Sequence, residues 1–176
     1  MKTVMAIISI SAAAFGLVGQ TAFAEGAAPN DAQIAGIVVA ANTVDIDAGK
    51  LAQKMSSNKD VKAFAQQMVT DHTGVNQQAG ALVKKLNVTP EDSDTSKSLK
   101  QGGEANITKL KSLKGADFDK AYIDHEVTYH QAVLDAVDTT LIPNAKNAEL
   151  KETLVKTRPA FVAHLEHAKH IQAGMK

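Results

Sequence analysis

Six histidines and no cysteine set the metal and proton chemistry open to this 176-residue chain. His72 and His130 fall where a helical repeat calls for a core residue. His164 sits on the flank of the apolar stripe of another repeat, and Asp45 lies near the middle of a fourth. Glu126 stands four residues before His130, one turn away on the same helical face, and Asp71 adjoins His72. A buried ionisable group without a partner is costly, so an inward layer of this kind has to be satisfied. Two chemistries do that. Imidazoles and carboxylates converging from four helices can hold a transition metal, Fe, Mn, Cu or Zn. Alternatively, acids and histidines can hydrogen-bond one another with no ion present. On the metal reading the ligands are Asp45, His72, His130 and His164, with Glu126 and Asp71 as further ligands or as groups that orient them.

The remaining candidates are weaker. His125 falls on the back of its helix, and His167 and His170 on the outer side of theirs, so all three are expected at the surface. Met68, one turn from His72, reads as core filling. There is no C-x-x-C-H for covalent haem, no phosphate-binding glycine loop and no G-x-S-x-G. No pattern names a substrate or a reaction. A redox enzyme with two metals would need more carboxylates at one level than the sequence places there.

Four long helices must position these groups. The first is predicted over Asp31 to Met55, capped by Asn30 with Gln33 reaching back. Its stripe is Ile34, Ile37, Ala41, Val44, Ala48, Leu51 and Met55. The second runs from about Asn58 to Leu86, with Ser57 and Asp60 as a capping box. Its seam, from Val61 through Ala65, Met68, His72, Val75, Ala79 and Leu82 to Leu86, alternates by four and three. The third starts near Asp117 and ends before Pro143, and the fourth spans about Asn147 to Ala173, with a kink expected at Pro159. Residues 87–115 are broken by Pro90 and by Gly102-Gly103, leaving a short helix around Ile107, Leu110 and Leu113. Short, long and short connections predict an all-α, ferritin-like four-helix bundle with one long crossover carrying that short extra helix. At 1.5 Å rise per residue, Asp45, His72, His130 and His164 reach about the same depth.

The first residues read as a secretory signal peptide: Lys2, an apolar run from Val4 to about Gly19, then Ala22-Phe23-Ala24 as the cleavage pattern. Cleavage after Ala24 would leave a single domain over 25–176 in the periplasm or outside the cell, with no transmembrane anchor. Lys and Arg number 19 against 19 Asp and Glu, which gives no electrostatic reason to expect nucleic acid as a partner. Without cysteine, no disulfide and no lipidated cysteine holds the chain.

Three blocks carry a family resemblance. "GKLAQKMSSNKDVKAFAQQMVTDHTGVNQQAGALVKKLNV", "GADFDKAYIDHEVTYHQAVL" and "RPAFVAHLEHAK" together resemble the exported bacterial family called domain of unknown function 4142. The similarity covers nearly all of residues 31–173. It implies a ferritin-like fold and a place in the cell envelope, where members are often labelled membrane or outer-membrane proteins. By that resemblance Asp71, His72, Tyr122, His130, Pro159 and His164 fall on motif positions. The usual acid on the first helix is Glu; this chain has Asp45, one methylene shorter. There is no Glu-x-x-His, so ferroxidase or oxygenase chemistry is not implied. Metal handling or envelope stress is the role expected, against a metal-free structural or interaction module of the envelope.

Overall fold

A computed structural model describes residues 28–175, all helix and connection with no strand among them. The expected signal peptide, residues 1–24, lies outside the described residues.

Helix α1 spans Asp31–Met55 and begins with the expected capping box. Asn30 Oδ1 accepts from the Gln33 amide at 2.8 Å, and Gln33 Oε1 accepts from the Asn30 amide at 3.0 Å. Helix α2 follows as Lys59–Lys85, capped by Asn58 rather than by a Ser57–Asp60 box. Asn58 Oδ1 accepts from the amides of Asp60 and Val61, and Ser56 Oγ accepts from the Asn58 amide, so the turn is tied at two points. With so short a link, α1 and α2 pack along their length as an antiparallel hairpin.

The long connection departs from the sequence reading. In place of a short helix, α3 runs over Asp94–Lys111, straight through Gly102-Gly103, from a Ser93–Ser96 capping box. Two helical glycines cost about 1 kcal/mol each in propensity, and tertiary contact overrides that here. Gly103 is buried against α1, where a Cβ would stand 2.7 Å from Val44 Cγ2. Glycine is therefore what lets α3 lie on α1, and the residue that looked like a break is the contact. Upstream, the Glu91 amide donates to Ala32 O at 3.0 Å and pins the start of this connection to α1.

Helix α4 covers Gly115–Ala136, and the chain does not stop before Pro143. It widens into a π-turn over Val137–Leu141 and closes with a last helical turn, α5, over Ile142–Asn144. Pro143 has no amide hydrogen, and its ring would clash with a carbonyl four residues back in a regular helix. The Ile142 amide bonds to Val137 O, five residues back, and this wider turn accommodates the ring. Helix α6, Ala148–Gly174, is capped by Asn147 and runs unbroken through Pro159. Asp31 at the start of α1 accepts from the amides of Lys146 and Asn147 at 2.8 and 2.9 Å, joining the two helix starts.

The four long helices pack pairwise, α1 on α2, α4 on α6, and more sparsely α1 on α4 and α2 on α6. Their interior divides into two hydrophobic clusters. One gathers Ile34, Ile37, Leu99, Leu134, Leu150 and Leu154; the other gathers Phe64, Met68, Phe118, Tyr122 and Ile123. The polar layer lies at the junction.

Candidate metal centre

Asp45, His72, Glu126, His130 and His164 are all buried, each at 2% exposure or less. They come from α1, α2, α4 and α6, so four helices must be in register for them to meet. The imidazole centroids of His72, His130 and His164 form a near-equilateral triangle with sides of 5.6, 5.2 and 5.4 Å.

Each ring is held from outside by an oxygen. Asn42 donates its amide to Asn76 Oδ1 at 2.9 Å, which turns Asn42 Oδ1 toward His72. That oxygen only accepts, so His72 donates from Nδ1, at 2.8 Å, and its Nε2 keeps a lone pair. His130 donates from Nδ1 to the Glu126 carbonyl at 3.0 Å, leaving its Nε2 free. His164 donates from Nε2 to Asp71 Oδ2 at 2.9 Å, leaving Nδ1. The three remaining nitrogens, Nε2 of His72, Nε2 of His130 and Nδ1 of His164, have no hydrogen-bond partner. An outer acceptor that fixes the tautomer and orients the ring is how metal-ligating histidines are built.

Beside this triangle stand two acids. His72 Nε2 is 3.4 Å from Asp45 Oδ2, and one oxygen of each of Asp45 and Glu126 groups with a His130 nitrogen within 4.8 Å. Asp45 Oδ1, both Glu126 oxygens and the Tyr122 hydroxyl are buried without a protein partner. Burial pushes the Asp45 carboxyl well above the usual range; His130 pulls it back, and Glu126 pushes it up again. Burial raises Glu126 to about 8, and the nearby Asp45 and Tyr122, outside hydrogen-bonding geometry, restrain the rise only in part. The acid pair therefore keeps a proton at neutral pH. Burial lowers His72 well below the usual imidazole range, and the neighbouring His130 and His164 lower it further. His164 is lowered too, by burial first, with Asp71 opposing. The imidazoles of His72 and His164 are thus neutral, the form a metal needs.

Two groups here could hold a metal ion: His72, His130 and His164, and Asp45, Glu126 and His130. His130 belongs to both, and its Nδ1 is committed to the Glu126 carbonyl. Asp71 belongs to neither; it is half-exposed and holds His164 from outside. So the structure brings together five of the six residues singled out in the sequence and makes the sixth their support.

Asn42 was missed. It stands three residues before Asp45 on the same face of α1, and an inward Asp45 implies an inward Asn42. Two histidines expected at the surface are half-buried. His125 stacks on Tyr129 at 5.4 Å, and burial lowers it to about 4. His167 meets Gln67 Oε1 at 3.0 Å and the edge of Phe64. His170 is exposed, as expected.

No curated protein and no solved structure matches this chain. A family model does match, over residues 17–171, and by that match the chain belongs to the family described as domain of unknown function (DUF4142).

Proposed function

We propose that this protein is an exported, ferritin-like helical bundle that binds one transition-metal ion in its interior. The observation that carries the reading is the convergence of three unpartnered imidazole nitrogens, each ring fixed from behind by an oxygen. His72, His130 and His164 would hold the ion, with Asp45 as fourth donor and Glu126 beside it. Three imidazoles favour Zn, Cu or Fe over Mn. The bound ion would supply Lewis acidity or, as Fe or Cu, one-electron chemistry. One ion is the expected number, because His130 is shared and has one nitrogen to give. The ferritin-like part is supported by two hairpins, α1–α2 and α4–α6, joined through one long connection. Export rests on the signal-peptide pattern of residues 1–24. No helix among the described residues is long and apolar enough to cross a membrane. Metal binding and export together would suit a role in metal handling or envelope stress.

Elemental analysis of protein isolated from the envelope, with melting of metal-free protein against Zn, Cu, Fe and Mn, tests this. Saturation at one hundred times Kd adds about 2.7 kcal/mol of stability, a clear rise in Tm. His72→Ala and His130→Ala should abolish the rise. No metal above background and no Tm shift with any of the four ions would sink the reading.

A metal-free module is the second reading, favoured by two direct acid–histidine approaches, His72 to Asp45 and His164 to Asp71. It predicts that His72→Leu with Asp45→Leu keeps full stability, while either change alone destabilises.

A further inference from the structure

A cavity of about 50 Å³ opens from the histidine layer into the aliphatic half of the interior. It runs between α1, α2, the π-turn and α6, with Asp45 and His72 at its inner end and Leu82, Leu141 and Leu150 at its outer end. Ten residues of α2 separate His72 from Leu82, so the lining extends over about 15 Å of that helix.

Its walls offer almost nothing polar. Ala41, Val75, Ala79, Leu154 and Phe161 present carbon. The Thr153 and Thr157 hydroxyls each donate to the carbonyl one turn back, at 2.8 Å. Asn42 is engaged by Asn76 and His72. A water needs two to four polar partners, and away from the inner end only the spare lone pairs of the Thr153 and Thr157 hydroxyls remain, with no donor beside them, so the channel is dry. Dry apolar cavities of about 150 Å³ take up benzene or xenon. This one is about a third of that size, and its occupant is correspondingly smaller.

The cavity's position gives it a use. Phe161 lies parallel to His72, with centroids 5.7 Å apart, and lines the same channel. The unpartnered Nε2 of His72 and carboxylate oxygen of Asp45 belong to residues at its end. We propose that this cavity binds a small apolar molecule of two or three heavy atoms, of the size of dioxygen, and leads it to the histidine layer. Uptake depends on the walls alone; what it meets at the inner end rests on the metal reading above.

The test uses metal-free full-length protein and methyl NMR under xenon pressure, then under dioxygen pressure. Xenon should shift the methyls of Ala41, Val75, Ala79 and Leu154, and dioxygen should relax them faster than those of Ala52, Ala168 and Ile171 in the other cluster. Ala79→Leu, which fills the channel, should remove the xenon response. Leu82→Ala, which widens it, should strengthen the response, giving a second readout of opposite sign if the first variant folds poorly. No response, an equal response in both clusters, water cross-peaks to the Ala41 and Val75 methyls, or a response that neither variant changes would each overturn the proposal. Xenon uptake without metal binding would remove the site and keep the cavity; metal binding without xenon uptake would do the reverse.

Discussion

Below the histidine layer, the cluster of Phe64, Met68, Phe118, Tyr122 and Ile123 is sealed, each side chain at 0% exposure. Above it, the cluster of Ile37, Val133, Leu150 and Leu154 is aliphatic but for two rings, Tyr129 and Phe161, and most members retain some exposure. Helix α2 records the change along its own seam. Val61, Ala65, Met68 and His72 are buried, whereas Val75, Ala79 and Leu82, on the same repeat, are only partly so. The spacing is constant; what changes is what the facing helices supply. In the sealed half, aromatic rings fill the space, Phe64 and Phe118 both meeting Tyr122. In the other half, Ala41 and Ala79 leave a channel. One half provides a sealed floor for the histidines and the other a cavity that reaches them, so a shared heptad pattern builds two different interiors.

The strongest test of that contrast is to hollow out each half. Phe64→Ala or Phe118→Ala in the sealed half should cost about 3–5 kcal/mol, read by chemical denaturation. Leu154→Ala, beside a channel that already exists, should fall at the low end of the 2–5 kcal/mol typical of such changes. Equal losses would mean the two halves are packed alike.

Next in size is the response of the metal-free layer to pH. Glu126 is raised from 4.5 to about 8, so between those values the folded chain holds a proton that the unfolded chain has released. Stability from this group is complete below 4.5 and is lost as pH rises through 8. His72, His164 and His125 shift downward, so their contribution is present above 6.5 and is lost as pH falls through their lowered values. From pH 6.5 to 8 only the acid side is changing. Denaturation midpoints should therefore fall over that window, by on the order of 1 kcal/mol per pH unit, and Glu126→Gln should flatten the slope. A flat profile in the unsubstituted protein would mean that the acid pair is hydrated and ordinary.

Of similar size are the effects of the outer supports of the rings. Asn42→Ala and Asp71→Ala should each weaken metal binding roughly 10–100-fold by isothermal titration, with the helical fold retained. Asp31→Ala, which frees the amides of Lys146 and Asn147 far from the layer, should cost about 1 kcal/mol and leave metal affinity unchanged.

Much of this arrangement is legible in the sequence, for a physical reason. A repeat of apolar residues sets which face of a helix turns inward, and a histidine inside the repeat turns with it. That accounts for His72 and His130. His164 was harder, because it sits on the flank of its stripe and only the packing of α4 against α6 turns it in. Helix α3 was hidden because glycine propensity speaks for the isolated chain, while Gly103 answers to its contact with Val44. The π-turn was hidden because proline rules describe a helix that keeps its pitch. Asn42 is a short polar residue whose purpose is visible only once its partner ring is placed.

The near-complete burial of the three histidines also bears on time. At 1–2% exposure, no chelator in solution can reach the inner nitrogens while the helices stay packed. An ion held there would leave only when the protein opens locally, so its residence would be set by the opening of the helices rather than by the strength of the chelator. Stripping should proceed at one rate over a wide range of chelator concentration, and faster in Phe64→Ala. A rate proportional to chelator would mean that the layer lies open to solvent.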